Sequence, residues 1–261
     1  MPFIEKDGLR YFSFSSFPTD RVDQAVISRK GGVSPEPWHS LNVGGTVGDE
    51  RSRVVENRLR SFQVVGRNPQ SMFDVWQVHS ADVVTANSPH NFSPPEFKAD
   101  AIITDNPDVT LFMRFADCTP VFLFDPVNNS IGIAHAGWMG TVKKMASATV
   151  KAMTANYGTR PADLIAGIGP SIGPDHYEVG LDVVAKVQQA FQNDAEELII
   201  HRNGKIFFDL WEANWLDLHQ AGVEKIENSG QCTACHIDDW FSHRGEKGKT
   251  GRFGAIIGLK R

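Results

Sequence analysis

Three cysteines in 261 residues are too few, and odd in number, for a disulfide framework, which points to a reducing, cytoplasmic setting. Long apolar runs are missing as well: no stretch approaches the roughly 18 residues that a membrane helix requires. The opening segment, "MPFIEKDGLRYF", mixes acidic and basic residues and has no apolar h-region, so it does not read as a secretory signal. An excess of positive charge is absent too: 26 Lys and Arg stand against 31 Asp and Glu, for a net charge of -5. A broad nucleic-acid or anionic-membrane footprint needs clustered positive charge, so neither partner is expected. No internal repeat or low-complexity block is present, which sets aside solenoids and arrays. What remains is the composition of an ordinary globular protein, 41% hydrophobic and 22% charged, able to build a core without disulfides.

Short β-like runs recur at 9–14, 25–28, 73–79, 99–104, 109–115, 121–124 and 130–136, bounded by turn clusters such as "KGGVSPEP" and "DPVNN". The succession from 99 to 136 reads as hairpins in a mixed or antiparallel sheet, not as a string of βαβ units. Helical spacing follows in "TVKKMASATVKAMTANYG", where Val142, Met145, Ala146, Thr149, Val150 and Met153 recur every three or four residues and Gly158 is a stop signal. "GLDVVAKVQQAFQN" and "DLWEANWLDLHQAGV" repeat the pattern, the latter with Asp209 as N-cap. Strands first and helices later give an α+β fold with sheets covered by helices. The Pro- and Ser-rich stretch 87–97 reads as a surface loop within one domain spanning 1–261.

Three side chains stand out at the ends of apolar runs. His79 closes "FDVWQVH", Cys118 lies in "FADCTP", and His135 ends "SIGIAHAGW". Polar groups at such ends project from a rigid support into a cleft. Each also has a plain reading, a hydrogen-bonded packing histidine or a small buried thiol, and spacing does not decide whether the three meet. "CTACH" spells a haem-attachment motif through Cys232, Cys235 and His236, but that chemistry belongs to exported proteins. The Cys-x-x-Cys is read as incidental, neither redox-active nor more than an adventitious metal ligand.

"WQVHS", "ADCTPVFLFD" and "HAGWMGT" resemble the motifs of the YfiH family, once described as multicopper polyphenol oxidoreductases or laccases and later as zinc-dependent purine nucleoside phosphorylases with adenosine deaminase activity. "SRKGGVSPEPWHSLNVGGTVGDE", "NRLR", "GIGPSIGPDHYEVG" and "CTACHIDDWFSHRGEKGKTGR" extend the resemblance over nearly the whole chain. It implies a layered α/β/β/α arrangement with mixed sheets, similar to toxin-type domains with catalytic Cys and His. It also implies metal ligands at His79, Cys118 and His135, a donor set that suits zinc and leaves a fourth position open. Cu(II) competes well at nitrogen and sulfur sites and is the alternative cofactor. Implied substrates are adenosine, inosine, methylthioadenosine and phosphate.

Arginine's planar fork matches an oxyanion, so Arg29, Arg58, Arg244 and Arg252 are candidate phosphate clamps, each with a structural ion-pairing role as the other reading. Asn42, in a glycine-containing loop, is a candidate substrate contact. Asp117 either orients Cys118, accepts a proton, or caps a turn. Met139, His243 and Gly245 depart from the family pattern, where Arg, Tyr and a second Arg are usual. Other readings are a hydrolase using Cys118 as thiolate nucleophile with His79 or His135, and a peptidoglycan-precursor editing factor, a role linked to family members. The laccase reading fits poorly: nine histidines include no His-x-His pair. The signature of the known zinc deaminases is also absent, because no Glu follows His79 or His135 at the required spacing.

Overall fold

The computed structural model describes residues 3–90 and 95–261. From the N-terminus, β1 (Phe3–Lys6), β2 (Leu9–Phe12) and β3 (Val22–Ile27) precede α1 (Arg51–Val64) and the short β4 (Met72–Phe73) and β5 (Val83–Thr85). Next, β6 (Ala101–Thr104), β7 (Thr110–Phe115), β8 (Thr119–Asp125) and β9 (Ser130–Ala136) lead into α2 (Trp138–Val142) and α3 (Met145–Tyr157). The chain continues through β10 (Ile165–Ile168), α4 (Leu181–Phe191), α5 (Ala195–Leu198), β11 (Ile199–Arg202) and β12 (Lys205–Phe208). It ends with α6 (Leu210–Gln220), β13 (Lys225–Asn228) and β14 (Phe253–Leu259).

Two mixed six-stranded sheets result, in the orders β1-β2-β3-β14-β7-β4 and β13-β10-β8-β9-β6-β5, with β11 and β12 paired separately. Side chains alternate along each strand, and the alternation explains the layers. On β14, Phe253, Ala255, Ile257 and Leu259 enter the core between the sheets, while Ile256 packs outward with Phe62 of α1. On β8, Phe122 and Phe124 face inward, while Val121 and Leu123 pack outward with Met145, Val150 and Met153 of α3 and Leu218 of α6. Burying each such phenylalanine contributes about 1.5–3 kcal/mol. The order is α1, first sheet, second sheet, α3 with α6: the α/β/β/α layering of an α+β fold. Strands covered on both faces read as continuous apolar runs, as "VFLF" does.

Four local expectations are corrected. The hairpin succession 99–136 divides, because β7 joins the first sheet while β6, β8 and β9 pair in the second. The run 73–79 is strand only at Met72–Phe73. Beyond it, Gln77 takes over the ladder's role, its side chain accepting from the Arg114 backbone N–H at 3.0 Å and donating to the Arg114 carbonyl at 2.8 Å. The helix expected from residue 141 is two helices, broken where Lys144 adopts φ 62°. Helix α1 has no counterpart in the apolar pattern, since its buried face includes Asn57 and Ser61. The loop 87–97 falls partly on residues 91–94, outside the described residues.

Candidate active site

Cys118 lies where the chain crosses from β7 in the first sheet to β8 in the second. Its neighbour Asp117 holds φ 81°, an uncommon conformation for a residue with a side chain. That turn is over-determined: the Asp117 carboxylate accepts from Thr233 Oγ1 at 2.6 Å, Ser242 Oγ at 2.7 Å and the Arg244 backbone N–H at 2.6 Å. Asp117 thus fixes the turn that aims Cys118. His135 shares the parity of Ile131 and Ile133 on β9, so its ring enters the space between the sheets, 5.4 Å from the Phe115 ring centroid. His79, at φ 58°, sits in irregular chain, its carbonyl held by Lys143 Nζ at 2.8 Å.

The three meet. One ligating atom from each of His79, Cys118 and His135 lies within 4.8 Å of the others. Gly137 permits this approach, because a Cβ there would stand 2.6 Å from Cys118 Sγ and 3.4 Å from His79 Nδ1. Two imidazoles and a thiol are a donor set that could hold zinc.

Asp100, which sequence reasoning overlooked, organises the group. Fully buried, it accepts from His135 Nδ1 at 2.9 Å through one oxygen. Through the other it accepts from the Val78 and Ser80 backbone N–H groups and from Ser80 Oγ, at 3.1, 2.6 and 3.0 Å. One carboxylate therefore clamps both sides of His79 and orients the His135 ring through Nδ1, a contact of the kind that supports metal-binding histidines. Burial alone would raise Asp100, but the bonds from His135 and Ser80 bring it to about 2. Burial would likewise lower His135, yet the Cys118 sulfur and Asp100 hold it up to about 9, so this corner stabilises positive charge. Burial, then His135, lowers His79, favouring the neutral ligating ring.

His79, Cys118 and His135 line a cleft of about 720 Å³ together with the candidate arginines Arg58, Arg244 and Arg252, and with Arg51 and Arg114, which the sequence did not single out. Burial and then Arg114 lower Arg58 to about 10, partly offset by Asp74, leaving it charged at neutral pH. Arg58 Nε is anchored on the Val43 carbonyl at 3.0 Å, and Arg244 Nη1 on the Glu178 carbonyl at 2.8 Å. Arg252 passes Gly44, where a Cβ would come within 2.7 Å of its Cγ. Trp76, Trp138 and Tyr177 add aromatic surface, and Met139 and His243, two departures from the family pattern, also face the cleft.

Two candidates lie elsewhere. Arg29 is not a cleft residue: it pairs with Glu246 at 2.9 Å, donates to the His39 and Ile237 carbonyls, each at 2.8 Å, and stacks on Phe241. Asn42 is fully buried, accepting from the Gly44 and Arg252 backbone N–H groups at 2.9 Å and donating to Asp49 at 2.9 Å. Both are structural.

Comparison with known proteins identifies the family. Residues 23–260 match the family described as multi-copper polyphenol oxidoreductase laccase. A purine nucleoside phosphorylase of Deinococcus radiodurans is 38% identical, with 94% of this chain and 92% of that protein covered. The purine nucleoside phosphorylase YlmD of Bacillus subtilis is 37% identical, covering 93% and 91% respectively. The crystal structure of YlmD from Geobacillus stearothermophilus superposes with a TM-score of 0.92 at 32% identity, over 100% of this chain and 99% of that one. A Bacillus licheniformis YfiH structure gives 0.91 at 32% identity, covering 99% of both chains. Among the described residues, close groups of three or more metal-ligating side chains occur at this site and around Asp175, and neither is the imidazole-rich set of a multicopper oxidase. The fold, the motifs and these relatives together place the chain in the YfiH family.

Proposed function

We propose that this chain is a zinc-dependent purine nucleoside phosphorylase that also deaminates adenosine, with adenosine, inosine and methylthioadenosine as substrates. The observation that carries the reading is the convergence of His79, Cys118 and His135 in a cleft lined by five arginines. An anion and an aromatic base are the ligands that such a lining suits. His79, Cys118 and His135 would hold the zinc, which would supply Lewis-acid chemistry to the reaction.

The chain's own residues do the rest. Arg58, Arg244 and Arg252 bind phosphate and hold it on one face of the ribose, while Arg114 is held by its pair with the buried Asp74. Attack of a phosphate oxygen at C1′ forms the new C–O bond as the bond to the purine nitrogen breaks. The departing electron pair stays on the base, which takes up a proton as it is released. Trp76, Trp138 and Tyr177 offer flat surfaces for the purine. Asp100 keeps the His135 proton on Nδ1, and Asp117 keeps the Cys118 turn closed. Deamination is the replacement of the C6 amino group by water, with ammonia released, in the same cleft.

Mass spectrometry of free base released from adenosine and inosine, with and without phosphate, tests the reading. Wild type should release base only with phosphate, and Cys118→Ala should lose at least 100-fold in kcat/KM. Full activity in Cys118→Ala with metal still bound would refute it. A second reading has its own observation: Cys118, His135 and Asp100 stand in series, as in a thiol hydrolase triad. That enzyme would survive chelators and die on alkylation, and it gives His79 no task.

A further inference from the structure

A second cluster lies outside the cleft. Asp175 and His176 come from the turn after β10, and Cys232 and Cys235 from the segment after β13. One ligating atom of each lies within 4.8 Å of all the others. His176 Nδ1 stands 3.8 Å from Cys232 Sγ, 3.5 Å from Cys235 Sγ and 3.1 Å from Asp175 Oδ1, and Cys235 Sγ stands 3.7 Å from Asp175 Oδ2. Zinc bond lengths of about 2.3 Å to sulfur and about 2.0–2.1 Å to nitrogen or oxygen give tetrahedron edges of about 3.4–3.8 Å. The two His176–sulfur separations fall within a few tenths of an ångström of those edges, and the Asp175 carboxylate reaches His176 through one oxygen and Cys235 through the other.

The backbone is shaped to the same end. The Gly173 N–H donates to Cys232 Sγ at 3.2 Å, a bond that stabilises a thiolate. A Cβ at Gly173 would sit 3.1 Å from Cys232 Cβ and 3.2 Å from its Sγ, so glycine lets the turn close on the sulfur without displacing it. A disulfide would leave the facing carboxylate and imidazole without a purpose.

We propose that Asp175, His176, Cys232 and Cys235 form a structural metal site that takes a borderline-soft divalent cation such as Zn²⁺ in closed tetrahedral coordination. The incidental reading of Cys232 and Cys235 is thereby replaced. Four protein ligands leave no open position, so the ion is a staple and not a second catalytic centre. It joins two segments that reach the cleft: Tyr177, next to His176, lines it, and Thr233, next to Cys232, donates to Asp117. The proposal is independent of the nucleoside reading.

Titration of reduced Cys118→Ser protein with Co²⁺ tests it, because thiolate-to-cobalt absorption then reports only Cys232 and Cys235. One equivalent should bind with that near-ultraviolet band and intense tetrahedral visible bands, and Zn²⁺ should displace it. His176→Ala and Asp175→Ala in the same background should each weaken binding at least tenfold. No thiolate band while both thiols remain titratable would overturn the proposal, as would unchanged affinity in the two ligand variants. If Cys118→Ser proves unstable, wild type decides: two Co²⁺ per chain are expected. One Co²⁺ per chain, with Cys232 and Cys235 still open to alkylation, contradicts the site.

Discussion

Asp100→Asn isolates the group that sets the metal centre's geometry. The carboxylate accepts on both oxygens: His135 Nδ1 on one side, two backbone N–H groups and Ser80 Oγ on the other. An amide accepts on one side only. If its oxygen keeps the three donors around His79, its NH₂ faces His135 Nδ1, which must become an acceptor. The ring proton then moves to Nε2, the position needed for metal. Losses of this kind cost about 10–100-fold in metal affinity, or about 1.4–2.8 kcal/mol. Zinc affinity, measured by competition with a chromophoric chelator, should fall by that factor, and phosphorolysis should fall with it at limiting zinc. The variant should also lose acid-sensitive stability. The folded Asp100 sits at about 2 against an ordinary 3.8, a stabilisation of about 2 kcal/mol. That contribution is present above about pH 4 and is lost as pH falls through about 2, so the wild-type advantage in metal-free protein should shrink over that window. Wild-type zinc affinity and base release in Asp100→Asn would refute the reasoning.

Gly137→Ala puts a methyl 2.6 Å from Cys118 Sγ, so zinc affinity should drop at least tenfold while helical circular dichroism is kept. Arg58→Ala removes a buried cation from the cleft and should raise the KM for phosphate about 10–100-fold, read from initial rates at saturating nucleoside. Arg29→Ala breaks a pair whose side chains are 11% and 18% exposed; it should cost about 3 kcal/mol in denaturant unfolding without changing kcat/KM of the folded enzyme. Asp209→Ala removes the N-cap that accepts from Trp211 and Glu212, each at 3.0 Å, and should cost about 1 kcal/mol, measured the same way.

The strands were legible where alternation or continuous apolar runs mark burial, as at β8 and β9, and so was the Asp209 cap. Helix α1 was not, because polar Asn57 and Ser61 sit on its buried face and break the apolar stripe, Asn57 donating to the Asn42 carbonyl of a loop and Ser61 back to the Asn57 carbonyl within the helix. Motif spelling singled out His79, Cys118 and His135, but their convergence depends on the crossing between sheets, which no local pattern encodes. Asp100 precedes an apolar run as any turn residue does, and only its four hydrogen bonds reveal it. For Arg29 the sequence left the clamp and ion-pairing readings open, because its partner, Glu246, lies 217 positions away. Cys232 and Cys235 read as incidental in the sequence, because Asp175 and His176, the side chains that gather beside them, come from a distant turn.

The account's central claim, that a metal held by His79, Cys118 and His135 serves phosphorolysis, is tested most directly by pairing activity with alkylation of Cys118. Metal-stripped and zinc-restored protein would be assayed for phosphate-dependent base release from inosine while peptide mass spectrometry reads how fast Cys118 is alkylated. The account predicts that stripping abolishes release and opens Cys118, and that zinc restores release and shields the thiol. Base release that persists in stripped protein and disappears only on alkylation would contradict it and favour Cys118 as nucleophile.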